Sequence, residues 1–92
     1  MVINVRSVSK YADTNAQGDL LFDAVSQALR HCDLVMIDFT GVSNVTSSFV
    51  NSSFVRLLGL YDFKTIQSRV QVMGANKQIA SMIRARMYYE AA

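Results

Sequence analysis

Apolar residues along this chain switch between the spacing of a strand and that of a helix, and each switch marks an element. Residues 2–8, VINVRSV, alternate in part, with Ile3 and Val5 on one side and Asn4 and Arg6 on the other. That predicts an edge strand with one wetter face. Residues 9–16, SKYADTNA, are rich in turn formers and predict a loop, in which Thr14 or Asn15 is placed to cap a helix. From about Gln17 to His31, Leu21, Val25, Ala28 and Leu29 recur at three and four residues, flanked by Leu20 and Ala24, as in an amphipathic helix. The run Leu34, Val35, Met36, Ile37, Asp38, Phe39 is too short for a typical helix and does not alternate. It predicts a strand covered on both faces inside a parallel sheet. Gly41 to Val45 make a turn, and Thr46 or Ser47 is suited to cap a second helix. Val50, Phe54, Leu57, Leu58 and Tyr61 mark its buried face, while Ser48, Asn51, Ser52, Val55 and Arg56 face elsewhere. Residues 61–68, YDFKTIQS, read as a connection with one helical turn, and RVQVM at 69–73 as a third strand ended by Gly74. Asn76 then caps a last helix carrying Ile79, Met82, Ile83 and Met87, up to about Tyr89.

Strands alternating with helices imply an α/β domain of order β-α-β-α-β-α, with a mostly parallel sheet of three to four strands and right-handed crossovers. The 34–40 strand is expected to be internal, and Ile37, Phe54, Leu57 and Ile83 to be buried together. With 92 residues the chain has room for one small domain, residues 1–92. Its 51% hydrophobic and 17% charged content predicts a sizeable core and an apolar patch for association. A homodimer through the last helix or the open edge of the first strand is the form of self-association expected. Nine basic and seven acidic side chains leave a net charge of +2, with no concentrated basic stripe, which argues against a nucleic-acid partner. One cysteine excludes an internal disulfide framework and fits a reducing compartment. The start lacks a signal-peptide pattern, and no window approaches the roughly 18 consecutive apolar residues of a membrane span. A cytoplasmic protein with no membrane association is expected.

Open α/β sheets place ligands and partners beyond the carboxyl ends of their strands, so chemistry is sought between Asp38 and Asn51. Ser47 and Ser48 stand at a helix amino end, where free N–H groups and the dipole favour an anion. They either cap the helix or serve as phosphoacceptor or anion contact. Asp38 ends an internal strand, as does the phosphoaccepting aspartate of receiver domains. That chemistry needs a metal held by further carboxylates, and the first strand offers only Asn4, Arg6 and Ser7. Asp38 and Gly41 are therefore read as loop-structuring residues. His31 and Cys32 are adjacent, but neighbours on a helix point apart, and a zinc site needs three or four ligands. Gly74 to Lys77 form a capped turn without a Walker A or dinucleotide fingerprint. Met82, Met87, Tyr88 and Tyr89 widen the apolar surface of the last helix into core or a partner face. No cofactor or metal is expected. No acid/base pair, metal cluster or triad can be assembled, so an enzyme is the last choice.

The stretch DFTGVSNVTSSFVNSSFVRLL resembles the STAS domain, the fold of bacterial anti-sigma factor antagonists. It is more similar still to STAS-like domains whose loop and helix carry Ser-Ser-Phe before an apolar helix. Asp38, Phe39, Gly41, Val42, Ser47, Ser48, Phe49, Phe54 and Leu57 carry the likeness. In the antagonists a serine or threonine at the amino end of this helix is phosphorylated by a partner kinase, which controls binding; by position that is Ser47. The resemblance implies a noncatalytic regulatory protein-interaction module, docking Asn44, Thr46, Phe49, Asn51, Ser52 and Arg56 onto a protein partner. An ATP-binding switch kinase related to histidine kinases is the class of partner implied. The alternatives are a small-molecule or nucleotide-binding domain using the same helix amino end, and a purely structural oligomerisation domain.

Overall fold

The computed structural model describes residues 1–91. Strands β1 (Val2–Asn4), β2 (Val35–Asp38) and β3 (Val70–Met73) form one parallel sheet in the order β1-β2-β3. Ile3 pairs with Ile37, and Ile37 with Val72. The helices are α1 (Val5–Val8), α2 (Asn15–Leu29), α3 (Ser47–Ser53), α4 (Phe63–Arg69) and α5 (Lys77–Ala91), with a 3-10 segment at Val55–Gly59. Among the described residues no helix is long and apolar enough to cross a membrane.

The strand order explains where the core lies. Both crossovers step to the next strand in the same direction, so right-handed connections carry them over the same face of the sheet. Ile3, Val35, Ile37 and Val70 point into that helical layer and are buried. Val2, Asn4, Gln71 and Met73, on the other face, are exposed, and Met36 and Asp38 between them are half-buried. Strand β2 is thus internal as predicted, but it is covered on one face and not on both. The expected quartet Ile37, Phe54, Leu57 and Ile83 is buried in one cluster, to which Phe39 and Phe54 add stacked rings 6.1 Å apart.

Local hydrogen bonding sets most element ends. Thr14 caps α2 by accepting the Gln17 N–H at 3.1 Å, and the Gln17 side chain accepts the Thr14 N–H at 3.1 Å, a reciprocal pair that serves two otherwise orphaned donors. Thr46 caps α3 and Asn76 caps α5 in the expected way, accepting from Phe49 N–H and Ile79 N–H. Three expectations need correction. The first strand stops at Asn4, whose side chain accepts the Arg6 N–H at 3.1 Å and starts the helical turn α1, so residues 5–8 leave the sheet. The second helix does not run to Tyr61. The hydroxyls of Ser52 and Ser53 donate to the carbonyls of Ser48 and Phe49, four residues back, a pattern that bends helices, and the chain tightens into 3-10 geometry after Phe54. Residues 63–69 form a full helix, because Asp62 caps it through the Thr65 N–H at 2.7 Å.

Helices α2 and α3 pack at the closest approach that a glycine allows. A Cβ at Gly18 would fall on the Ser52 hydroxyl and lie 2.5 Å from the Phe49 carbonyl oxygen. Phe49, on the same helix α3, is fully buried.

Candidate functional site

The loops after β1 and β2 meet beyond the carboxyl end of the sheet. Thr46 ties them together: its N–H donates to Ala12 O at 3.1 Å, and its hydroxyl donates to Asp13 O at 2.7 Å while accepting from Phe49 N–H at 3.2 Å. From the other side, α5 holds the 41–46 loop. The Gln78 amide exchanges two 3.2 Å bonds with the Val45 backbone, and Asn76 donates to Ser43 O at 2.7 Å. A loop pinned on both flanks keeps its shape, and a shaped loop at a strand end is where sites are built.

Asp38 organises the base of this loop. Its Oδ1 accepts from the Thr40 hydroxyl at 2.6 Å and the Thr40 N–H at 2.9 Å. The hydroxyl bond foremost, then the N–H bond, hold its carboxyl below the ordinary 3.8. Gly74 closes over the pair at a φ of 68°, with room for no side chain: a Cβ there would lie 2.5 Å from both Asp38 Oδ1 and Thr40 Oγ1. Asp38 thus bonds a backbone N–H of the loop two residues on.

The remaining candidates separate by exposure. Asn44 and Ser47 are exposed, and Ser48 is half-buried. Since Thr46 supplies the cap, the Ser47 hydroxyl makes no hydrogen bond among the described residues. Four of the residues expected on a docking surface are occupied within the fold. Phe49 is core. Ser52 is wedged against α2, donating to Asn15 O at 2.9 Å. Asn51 accepts from Arg86 Nε at 2.9 Å and joins α3 to α5. Arg56 is exposed, yet it pairs with Asp19 at 3.1 Å and lies over the Phe22 ring at 4.0 Å, joining the 3-10 segment to α2. His31 is exposed and Cys32 half-buried at the end of α2.

Between the two loops lies a cleft of about 180 Å³ lined by Arg6, Lys10, Tyr11, Asp13 and the segment Gly41–Asn44. Arg6 and Lys10 escaped the sequence reading, which placed Arg6 on a strand and Lys10 in a featureless loop. The signal that finds Arg6 is the Asn4 cap: once α1 begins at Val5, the Arg6 side chain swings over Gly41. The sheet order does not reverse, so there is no switch-point crevice of the usual open-sheet kind. The cleft arises from the early departure of the chain from β1.

A parallel sheet in the order β1-β2-β3, helices on one face, and a capped helix start beside the central strand's loop define a small α/β domain of STAS type. The family model of the STAS-like domain of unknown function matches residues 17–80, and the chain belongs to that family. No curated protein and no solved structure matches it significantly. The matched residues include Asp38, Gly41 and Ser47 and leave out Arg6 and Lys10.

Proposed function

We propose that the protein is a noncatalytic regulatory module that binds a protein partner through the rim Asn44–Ser48, with modification of Ser47 controlling that binding. The observation that carries this is the division of labour at the start of α3. Thr46 takes the capping role, leaving the neighbouring Ser47 hydroxyl exposed and free of hydrogen bonds among the described residues. A phosphate on Ser47 adds about −1.5 to −2 charges to an otherwise neutral rim and changes its complementarity to any partner. The resemblance to anti-sigma factor antagonists supports an ATP-binding switch kinase as the class of partner.

The test is a binding titration with a partner co-purified on the tagged protein, identified by mass spectrometry and then purified. Ser47→Asp is expected to weaken binding at least about tenfold, roughly 1.4 kcal/mol. Ser47→Ala and the control Ser68→Asp, at an exposed position of α4, are expected to bind like the parent. Ser52→Asp is no fair control, because Ser52 is packed against Gly18. Equal binding by Ser47→Asp and the parent, together with an unmodified Ser47 after incubation with the kinase and ATP, would remove the switch.

A further inference from the structure

The geometry points to a binding site for a single phosphoryl group in the cleft between Arg6–Asp13 and Gly41–Asn44. The occupant is inorganic phosphate or the terminal phosphate of a small ester. Two cations line this cleft, and neither Arg6 nor Lys10 makes an ion pair or a side-chain hydrogen bond among the described residues, the Lys10 ammonium lying 5.5 Å over the ring of Tyr11, another lining residue. Arg6 is held in place by shape. Its side chain lies across Gly41, which sits at a φ of 85°, and a Cβ at that position would be 2.9 Å from Arg6 Nη1 and 3.1 Å from its Cδ. An L side chain at residue 41 would be strained by the backbone and would also push the guanidinium off the cleft wall. The N–H groups of Gly41, Ser43 and Asn44, on the same wall, have no hydrogen-bond acceptor among the described residues. A planar fork of donors, an ammonium and unpaired loop amides are groups that recognise phosphate oxygens.

Size narrows the ligand. Pockets that enclose a whole drug-sized molecule run to about 300–1,000 Å³. At about 180 Å³ this open cleft is too small to enclose a drug-sized molecule and has room for a phosphoryl group. Two larger hollows lack its chemistry. One of about 290 Å³ is lined by Met1, Ile3, Ala24, Gln27, Ala28 and His31, and its amino-terminal ammonium already donates to Leu34 O at 3.3 Å; one of about 340 Å³ sets the single cation Arg84 among Val72, Ala80 and Ile83. Asp13 also lines the phosphate cleft, and its carboxylate pairs with neither cation. It opposes a bound anion, so its removal must strengthen binding.

The experiment is a titration of the isotope-labelled full chain with inorganic phosphate at constant ionic strength and neutral pH, following backbone amide shifts. Saturable shifts are expected at Gly41, Ser43 and Asn44. Arg6→Gln and Lys10→Gln should each weaken binding at least about tenfold, Asp13→Asn should tighten it several-fold, and Ser47→Ala should leave it unchanged. A parallel titration with ribose 5-phosphate separates the two sources: a tighter ester identifies a terminal phosphate, a weaker one the free ion, and both support the site. Shifts that grow linearly and are reproduced by sodium chloride overturn it, as does an Arg6→Gln variant that folds and binds like the parent. Because Ser47 does not line the cleft, this test and the partner-binding test fail independently.

Discussion

Asp38 ends the central strand in the position where, in other α/β domains, an aspartate accepts a phosphoryl group, yet its neighbours commit it to holding the loop. Both bonds that it accepts come from Thr40, and both favour the charged form. The Thr65 side chain foremost, then the Thr65 N–H bonded at 2.7 Å, likewise hold the Asp62 carboxyl below its ordinary value at the start of α4. The sign follows from linkage: a folded-state pKa below the unfolded one gives stability that is complete above the unfolded value and is lost as pH falls through the folded one. The urea midpoint is therefore expected to drop once the pH goes below about 4. Asp38→Asn, less stable than the parent at neutral pH, should show a shallower acid decline; an unchanged acid slope would mean that the Asp38 carboxylate does not carry the effect. The local bonding of Asp38 was readable from sequence, because an aspartate before a Thr-Gly turn has its bonding partners two residues away. Arg6 was not, since the wall that it lies on is Gly41, thirty-five positions along the chain.

Elements with a full apolar period were legible: α2, β2, β3 and α5 fall close to where the spacing put them, and Thr14, Thr46 and Asn76 cap as their residue types foretell. The misses have a common cause. Helix α1 has four residues and α4 seven, too short to show a period of 3.6, and each depends on one cap, Asn4 or Asp62. The carboxyl end of α2 shows the same dependence on a single side chain. Arg69, at the end of α4, donates to Leu29 O at 2.6 Å, Cys32 O at 2.8 Å and Asp33 O at 3.1 Å, satisfying carbonyls that a helix end leaves open and placing a cation at the negative end of the dipole. Hydrogen bonds from a charged donor contribute about 1.5–3 kcal/mol each at most, and the loss of several at one partly open site is shared with water. Arg69→Met, which keeps most of the aliphatic stem, is expected to lower unfolding stability by about 1–3 kcal/mol in urea denaturation. A change below about 0.5 kcal/mol would show that solvent satisfies those carbonyls as well as the guanidinium does.

On the scale of the whole molecule, a single layer of helices over three short strands makes the core thin, and every large buried side chain belongs to one cluster. The sequence reading found this cluster because helix periods and the strand run converge on few residues. It misjudged the sheet's second face because an unbroken apolar run looks the same whether a strand is covered on one side or two. Only the order β1-β2-β3, which sends both crossovers to the same side, distinguishes them. Within that layer α3 packs chiefly on α2 and more lightly on α5, and the 3-10 segment touches both α2 and α5. Leu57, 1% exposed, sits in the 3-10 segment beside Phe54 and close to the bend after Ser53. Truncation there leaves a cavity that a short segment, tied to α2 by Arg56 and Asp19, cannot collapse to fill. Leu57→Ala is expected to cost about 2–5 kcal/mol, against a total of about 5–15 kcal/mol for a domain of ordinary stability. With one core, loss of tertiary and secondary signals should remain coincident in the variant. A midpoint equal to the parent's would mean that Leu57 does not bear on the core, and separated transitions would mean that the 3-10 segment unfolds apart from the sheet.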